Sequence, residues 1–257
     1  MRGITPIPLT ALFLALGLVP VLTAVADETE DPTEQAHDAL RAEIAEKRAE
    51  LHGRWKQERT RSERQALREE ARAYLHGAIA DEIVPAWLGQ PWTMAVIKDG
   101  LKPNAEYPGQ PGRGISCSWF VVRVLQDAGL RFAGASRFAG TISIHFARSM
   151  VSHKKQVERY SYVTPAELEQ KLAAKGDGLY VVGLNCHIGF IHVKDGEAKF
   201  MHSSYVDPYE VVLEPLTESL AIELSEDAGY VVAPLFHDSY LIDRWITGNA
   251  VPFKGPR

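Results

Sequence analysis

Gly114-Ile115-Ser116-Cys117-Ser118-Trp119-Phe120-Val121-Val122 is a short Gly/Ser loop that ends in a cysteine and runs straight into an apolar helix. Phe120, Val121, Val124 and Leu125 recur at helical spacing, Ser116 stands at the N-cap position, and Gly129 stops the helix. Cys117 therefore opens a helix, where the macrodipole and unpaired amides stabilise a thiolate. A thiol nucleophile needs a base and a group that orients the base. His187 and His202 supply candidates for both on what read as two successive strands.

Outward from the cysteine, the loop from Lys98 to Gly114 holds four glycines and three prolines and delivers the chain into the helix. Downstream, Pro165 to Ala174 reads as a second helix, with Thr164 as its cap and Gly176 beyond its end. Leu179 to Leu184, His187 to Val193 and Ala198 to His202 are β-rich runs separated by short turns such as Lys194-Asp195-Gly196. Such spacing predicts an antiparallel sheet. Glu210 to Leu213 and Gly229 to Pro234 extend it, and a terminal helix follows near Tyr240 to Ile246. Within 131–162 only Thr141 to His145 stands out, as a strand candidate. Helix first and sheet afterwards predicts an α+β layer fold.

Upstream, Thr33 to Val84 is dense in Ala, Glu, Arg, Leu and Lys, a helical composition. Leu40, Ile44, Leu51 and Trp55 form one apolar stripe, and Leu67, Ala71, Tyr74, Ala78 and Ile79 another. A break at Gly53 or at Thr60-Arg61-Ser62 makes a helical hairpin, an accessory region packed against the catalytic domain or acting as a spacer; the alternative is one long helix that projects and pairs with a second chain. The texture changes to Trp, Pro and Gly at Pro85, which places a boundary there. Residues 1–26 read as a secretory signal: Arg2, an apolar run from Leu9 to Val25, and Ala24-Val25-Ala26 before Asp27. The expected organisation is thus signal peptide 1–26, helical accessory region 27–84 and catalytic domain 85–257.

A chain of 257 residues, 46% apolar, is ample for one sizeable core. Its formal charge of −5 supplies no cationic field for nucleic acid or an anionic membrane. There is no Gly-x-Ser-x-Gly elbow, His-Glu-x-x-His helix, phosphate loop or dinucleotide fingerprint, and no cofactor is called for. His145, His153, His192 and His237 are scattered without metal-ligand spacing.

The order of parts resembles the NlpC-type cell-wall peptidases, papain-like thiol hydrolases of bacterial peptidoglycan. Their Cys-Ser-Gly-Phe-Val-like helix start is matched by Cys117-Ser118-Trp119-Phe120-Val121, their Gly-Asp-Leu strand by Gly176-Asp177-Gly178-Leu179-Tyr180, and their His-Val-Gly-Ile strand by His187-Ile188-Gly189-Phe190-Ile191. The family's third polar group lies in an Ile-His-Ala context, matched by Phe200-Met201-His202-Ser203-Ser204. The acidic residue before the family's nucleophile is Ser116 here, and the glycine after Cys-Ser is Trp119. Trp92 falls where the family often carries a site tyrosine, although Trp is mostly a buried core residue. The resemblance spans 88–204. It implies a papain-like core in which the cysteine helix packs on an antiparallel sheet, preceded by a helical arm.

Residue pattern and resemblance assign the same roles. Cys117 attacks a carbonyl as thiolate, His187 forms the ion pair and protonates the leaving amine, and His202 orients His187. The amide of Cys117 and a donor from the preceding loop hold the oxyanion. The expectation is an exported, periplasmic or extracellular hydrolase that cleaves an amide, with peptidoglycan stem peptides as the substrate the resemblance implies. A protein or lipid amide or ester substrate is the alternative within thiol chemistry, and helices 33–84 offer a surface for self-association or a protein partner. The contrasting class is a non-catalytic secreted module of the same fold. Cys186 sharpens that contrast, since a Cys117–Cys186 disulfide abolishes catalysis. Strand alternation argues against the bridge, and against zinc at His187, His202 and Cys186: if His187 faces the cysteine helix, Cys186 faces away.

Overall fold

The computed structural model describes residues 31–94 and 100–255, all within one compact unit, Asp31–Arg257. The expected signal segment and Lys98 and Asp99 lie outside the described residues. The chain opens with α1 (Pro32–Gln57) and α2 (Arg61–Gly77). The break falls at Thr60, not at Gly53, because Thr60 and Glu63 cap each other's backbone amides there. A π-helical turn (Ala78–Ile83) leads into the short α3 (Val84–Trp87). After the Gly/Pro loop comes α4 (Cys117–Asp127), the predicted cysteine helix.

Beyond it lie α5 (Ala135–Ala139), α6 (Ser143–Ser149), strand β1 (Glu158–Tyr160) and α7 (Pro165–Ala173), the last with a Thr164–Glu167 capping box. Next come β2 (Gly178–Leu184), β3 (His187–Lys194), β4 (Glu197–Ser203) and β5 (Val211–Pro215), then α8 (Leu220–Glu223), β6 (Tyr230–Leu235) and α9 (Ser239–Thr247). The described strands form one six-stranded sheet in the order β1-β6-β2-β3-β4-β5, every pair antiparallel. The architecture is α+β. The strand expected at Thr141 to His145 is instead the start of α6. Its alternating Thr and Ile imitate a strand, but Ile142 is 63% exposed while Phe146 and Ala147 turn into the core at helical spacing.

Alternation along the strands sends side chains to two cores. Leu179, Val181, Ile188, Phe190 and Met201 meet α1 to α4 and α9 on one face; Tyr180, Val182, Ile191 and Phe200 meet α7 and α8 on the other. The central strands read as unbroken apolar runs because both faces are covered. Ile44, Leu51, Leu67, Ala71 and Leu75 of the N-terminal helices are fully buried in the first core with Trp87, Phe120 and Trp245. The apolar stripes that suggested pairing with a second chain are therefore covered by the chain itself. The change of texture at Pro85 does not separate two packing units.

Polar contacts fix the same seam. Asp127, 3% exposed at the end of α4, accepts from Trp87 Nε1 at 3.2 Å and lies 3.1 Å from His37 Nε2 of α1. Arg68 of α2 forks onto Asp243 of α9 at 2.7 and 2.9 Å. Among the described residues no helix is long and apolar enough to cross a membrane.

Candidate active site

Backbone contacts set the position of Cys117 before any side chain does. Ile115 N–H donates to Pro91 O at 2.9 Å, and Ser203 Oγ of β4 donates to Ile115 O at 2.7 Å, so the loop before α4 is tied to the sheet. Gly114 is required by close approach: a Cβ there falls 2.8 Å from Pro91 O and from Thr93 Cγ2. Ser116 has the extended backbone of an N-cap, yet its side chain makes no capping bond. Cys117 is the first residue of α4, as its sequence predicts.

The β3–β4 ladder runs from Lys194↔Glu197 to Phe190↔Met201 and stops, leaving the start of β3 unpaired on that side. The backbone amides of Ile188, Ser118 and Cys117 itself act on the Cys117 sulfur and favour its anionic form. Burial nevertheless pushes the thiol above its ordinary value, outweighing those three amides. The resting state is a neutral thiol, not the thiolate expected from the helix terminus alone.

His187 and His202 lie on the face of the sheet that carries Phe200, opposite the face on which Phe190 meets Phe120 of α4. Gly189 permits their approach: a Cβ there falls 2.6 Å from Phe200 Cε2 and 2.9 Å from His202 Cβ. His187 Nε2 is 2.8 Å from His202 Nδ1, and His202 Nε2 is 3.0 Å from Glu214 Oε1 on β5. The far end of this chain sets its direction. Burial alone raises Glu214, but hydrogen bonds from His202 and Ser219 hold it below the ordinary carboxylate range, so it is an anionic acceptor. His202 therefore carries its proton on Nε2, and its bare Nδ1 accepts from His187 Nε2–H. Burial, with His202 adding, pushes His187 well below its usual value, leaving a neutral ring whose Nδ1 is bare. That atom is buried and has no hydrogen-bond partner.

Cys117 and His187 line one cavity of about 510 Å³, together with Thr141, Ser143, Arg159, Gly183, Asn185, Cys186 and Gly229. No hydrogen bond joins the thiol to the imidazole. Tyr205 flanks the pair, its ring centroid 4.9 Å from that of His187. Trp92 is half-buried and is not among the lining residues.

One expectation is corrected: Cys186 does not face away from Cys117. Cys186 sits in the β2–β3 turn at φ 60°, where strand alternation no longer governs its direction, and it lines the same cavity as Cys117. Both cysteines are free. Glu214 is the member that sequence reading missed. It is the diagonal neighbour of His202, which pairs with Val212, so the signal lay in a register that one sequence does not specify. Among the described residues no group of three or more His, Cys, Asp and Glu is arranged to hold a metal ion. No protein-family model matches the chain, and no curated protein or solved structure matches it either.

Proposed function

We propose that this protein is an exported cysteine hydrolase of amide bonds, related in plan to the papain-like NlpC peptidases, with peptidoglycan stem peptides as its substrate. One observation carries the reading. The Ile188 amide holds Cys117 Sγ one residue from His187, whose Nδ1 is left bare and unpartnered by the relay from Glu214 through His202.

Chemistry starts from the neutral pair. His187 Nδ1 takes the thiol proton as Sγ bonds to the scissile carbonyl carbon, so the charge pair forms only as it is needed. Glu214 stabilises the imidazolium through His202. The backbone amides of Cys117 and Ser118 at the helix start are then free to receive the oxyanion. Collapse expels the amine with the proton from His187, leaving a thioester that water hydrolyses with His187 as base. Catalytic hydrogen bonds commonly tighten only in the complex with substrate.

The test is incubation of the mature chain with muropeptides and mass spectrometry of the products. A new amine and carboxyl terminus, absent with Cys117→Ala, supports the proposal; intact muropeptides and other peptides overturn it. The raised thiol and the missing contact favour a second reading, a non-catalytic module, which predicts muropeptide binding without turnover.

A further inference from the structure

Arg159 of β1 is the one formally charged side chain among the described residues that line the cavity, and no carboxylate lines it. It is exposed, and its guanidinium makes no ion pair or hydrogen bond with the described residues. Its neighbour Glu158, on the other face of the strand, is held by Lys175 and Tyr160 and does not neutralise it. Strand register places Arg159 in line with the thiol. It pairs with Val231 of β6, Val231 with Gly183 of β2, and Gly183 with Ile188 of β3, the residue whose amide meets Cys117 Sγ. All four residues of this row line the cavity.

Ser143 of α6 packs directly over Gly183, where a Cβ would fall 2.1 Å from Ser143 Cβ, and Ala228 and Gly229 form the wall beside β1 with almost no side chain. Three strand spacings separate Arg159 from Ile188, about 14 Å at about 4.8 Å each. An extended peptide crosses that distance in about four residues, and the length of the arginine side chain shortens it. A planar guanidinium with free donors, beside polar Thr141, Ser143 and Asn185, matches a carboxylate in geometry and charge.

We propose that Arg159 is the specificity residue of this cavity, receiving a carboxylate that the substrate carries two to three residues from the bond presented to Cys117. The inference rests on the thiol reading above and names the substrate class within it: peptides anionic at that position, in preference to their neutral or amidated counterparts.

Bromoacetyl-Gly-Gly and its C-terminal carboxamide differ only in one carboxylate about two residues from the alkylating carbon. Their rates of labelling Cys117 are compared at low ionic strength in a Cys186→Ser background, followed by peptide mass spectrometry. The expected result is that the carboxylate form reacts about threefold faster, as a screened attraction over several ångströms allows. Arg159→Gln abolishes the difference, Arg159→Lys keeps part of it, and high salt removes it. Equal rates in the parent and in Arg159→Gln, with labelling still dependent on His187, overturn the role of Arg159 and leave the thiol reading standing. Failure of both reagents to label Cys117 overturns the two together.

Discussion

His187 Nε2 and His202 Nδ1 are 2.8 Å apart, and with both rings neutral only one assignment of protons satisfies both that bond and the 3.0 Å contact from His202 Nε2 to Glu214. The carboxylate can only accept, so both imidazoles carry the proton on Nε2 and the basic Nδ1 of His187 is presented without a partner. In the proposed mechanism Glu214 acts through two rings.

Removing that anchor scrambles the tautomers. Glu214→Ala is expected to lower kcat about tenfold or more, by the scale of general-base catalysis, with KM little changed. Glu214→Gln keeps an accepting oxygen and retains most of the activity. Nitrogen-15 NMR of the ring nitrogens reads the cause directly, with a single Nε2–H tautomer of His187 in the parent and a mixture in Glu214→Ala.

Gly189→Ala drives a methyl into Phe200 and the backbone oxygen of Met201, the latter at 2.8 Å. Overpacking of this kind destabilises by about 1–3 kcal/mol. Here it also pushes His202 off His187, so activity is expected to fall further than stability. Urea midpoints and turnover measured on the same sample separate the two effects.

A fragment beginning at Pro85 strips the cover from Trp87, Phe120 and Trp245. Leu51, Leu67 and Leu75, each buried to within 1%, leave the core with it. Burial of each such side chain contributes about 1.5–3 kcal/mol. The fragment is expected to lose cooperative unfolding and to aggregate in gel filtration. A monomeric, cooperatively folded fragment contradicts this packing.

Acid is expected to destabilise the fold. Burial, with the charges of His192 and Arg72, lowers His76 to about 4, and burial also lowers His187 and His202. Between the folded values and the unfolded value near 6.5 the unfolded chain binds more protons, so stability is complete above that pH and is lost as pH falls. His76 alone accounts for about 2 kcal/mol between pH 6.5 and 5, at about 1.4 kcal/mol per pH unit. The His76→Phe variant is expected to flatten the stability–pH curve; an unchanged curve contradicts the assignment.

Locally encoded features were legible in the sequence. Cys117 opens its helix, Thr164 caps α7, and the β-rich runs 179–184, 187–193 and 198–202, bounded by turns, mark three strands within a residue of their observed ends. Features set by long-range pairing were not. β1 is only three residues long, and its neighbour is β6, some 70 residues downstream in the chain. Alternation placed Cys186 away from Cys117 because it treats the turn as strand, whereas a left-handed residue resets the direction. The helix-terminus argument lowered the thiol without weighing its burial, and burial is the larger effect here. Glu214 and Arg159 became visible only once register placed them beside His202 and in line with Ile188.

The pH dependence of Cys117 alkylation by iodoacetamide, in a Cys186→Ser background with and without His187→Ala, bears most directly on the central claim. A neutral thiol with a bare imidazole at hand predicts a rate that changes far less than tenfold per pH unit between pH 5.5 and 7.5, because His187 takes the proton. His187→Ala is then slower by about tenfold or more at pH 6 and climbs tenfold per unit, as a lone thiol must. Superimposable profiles for the two proteins, both rising as an ordinary thiol, would contradict the pairing of Cys117 with His187.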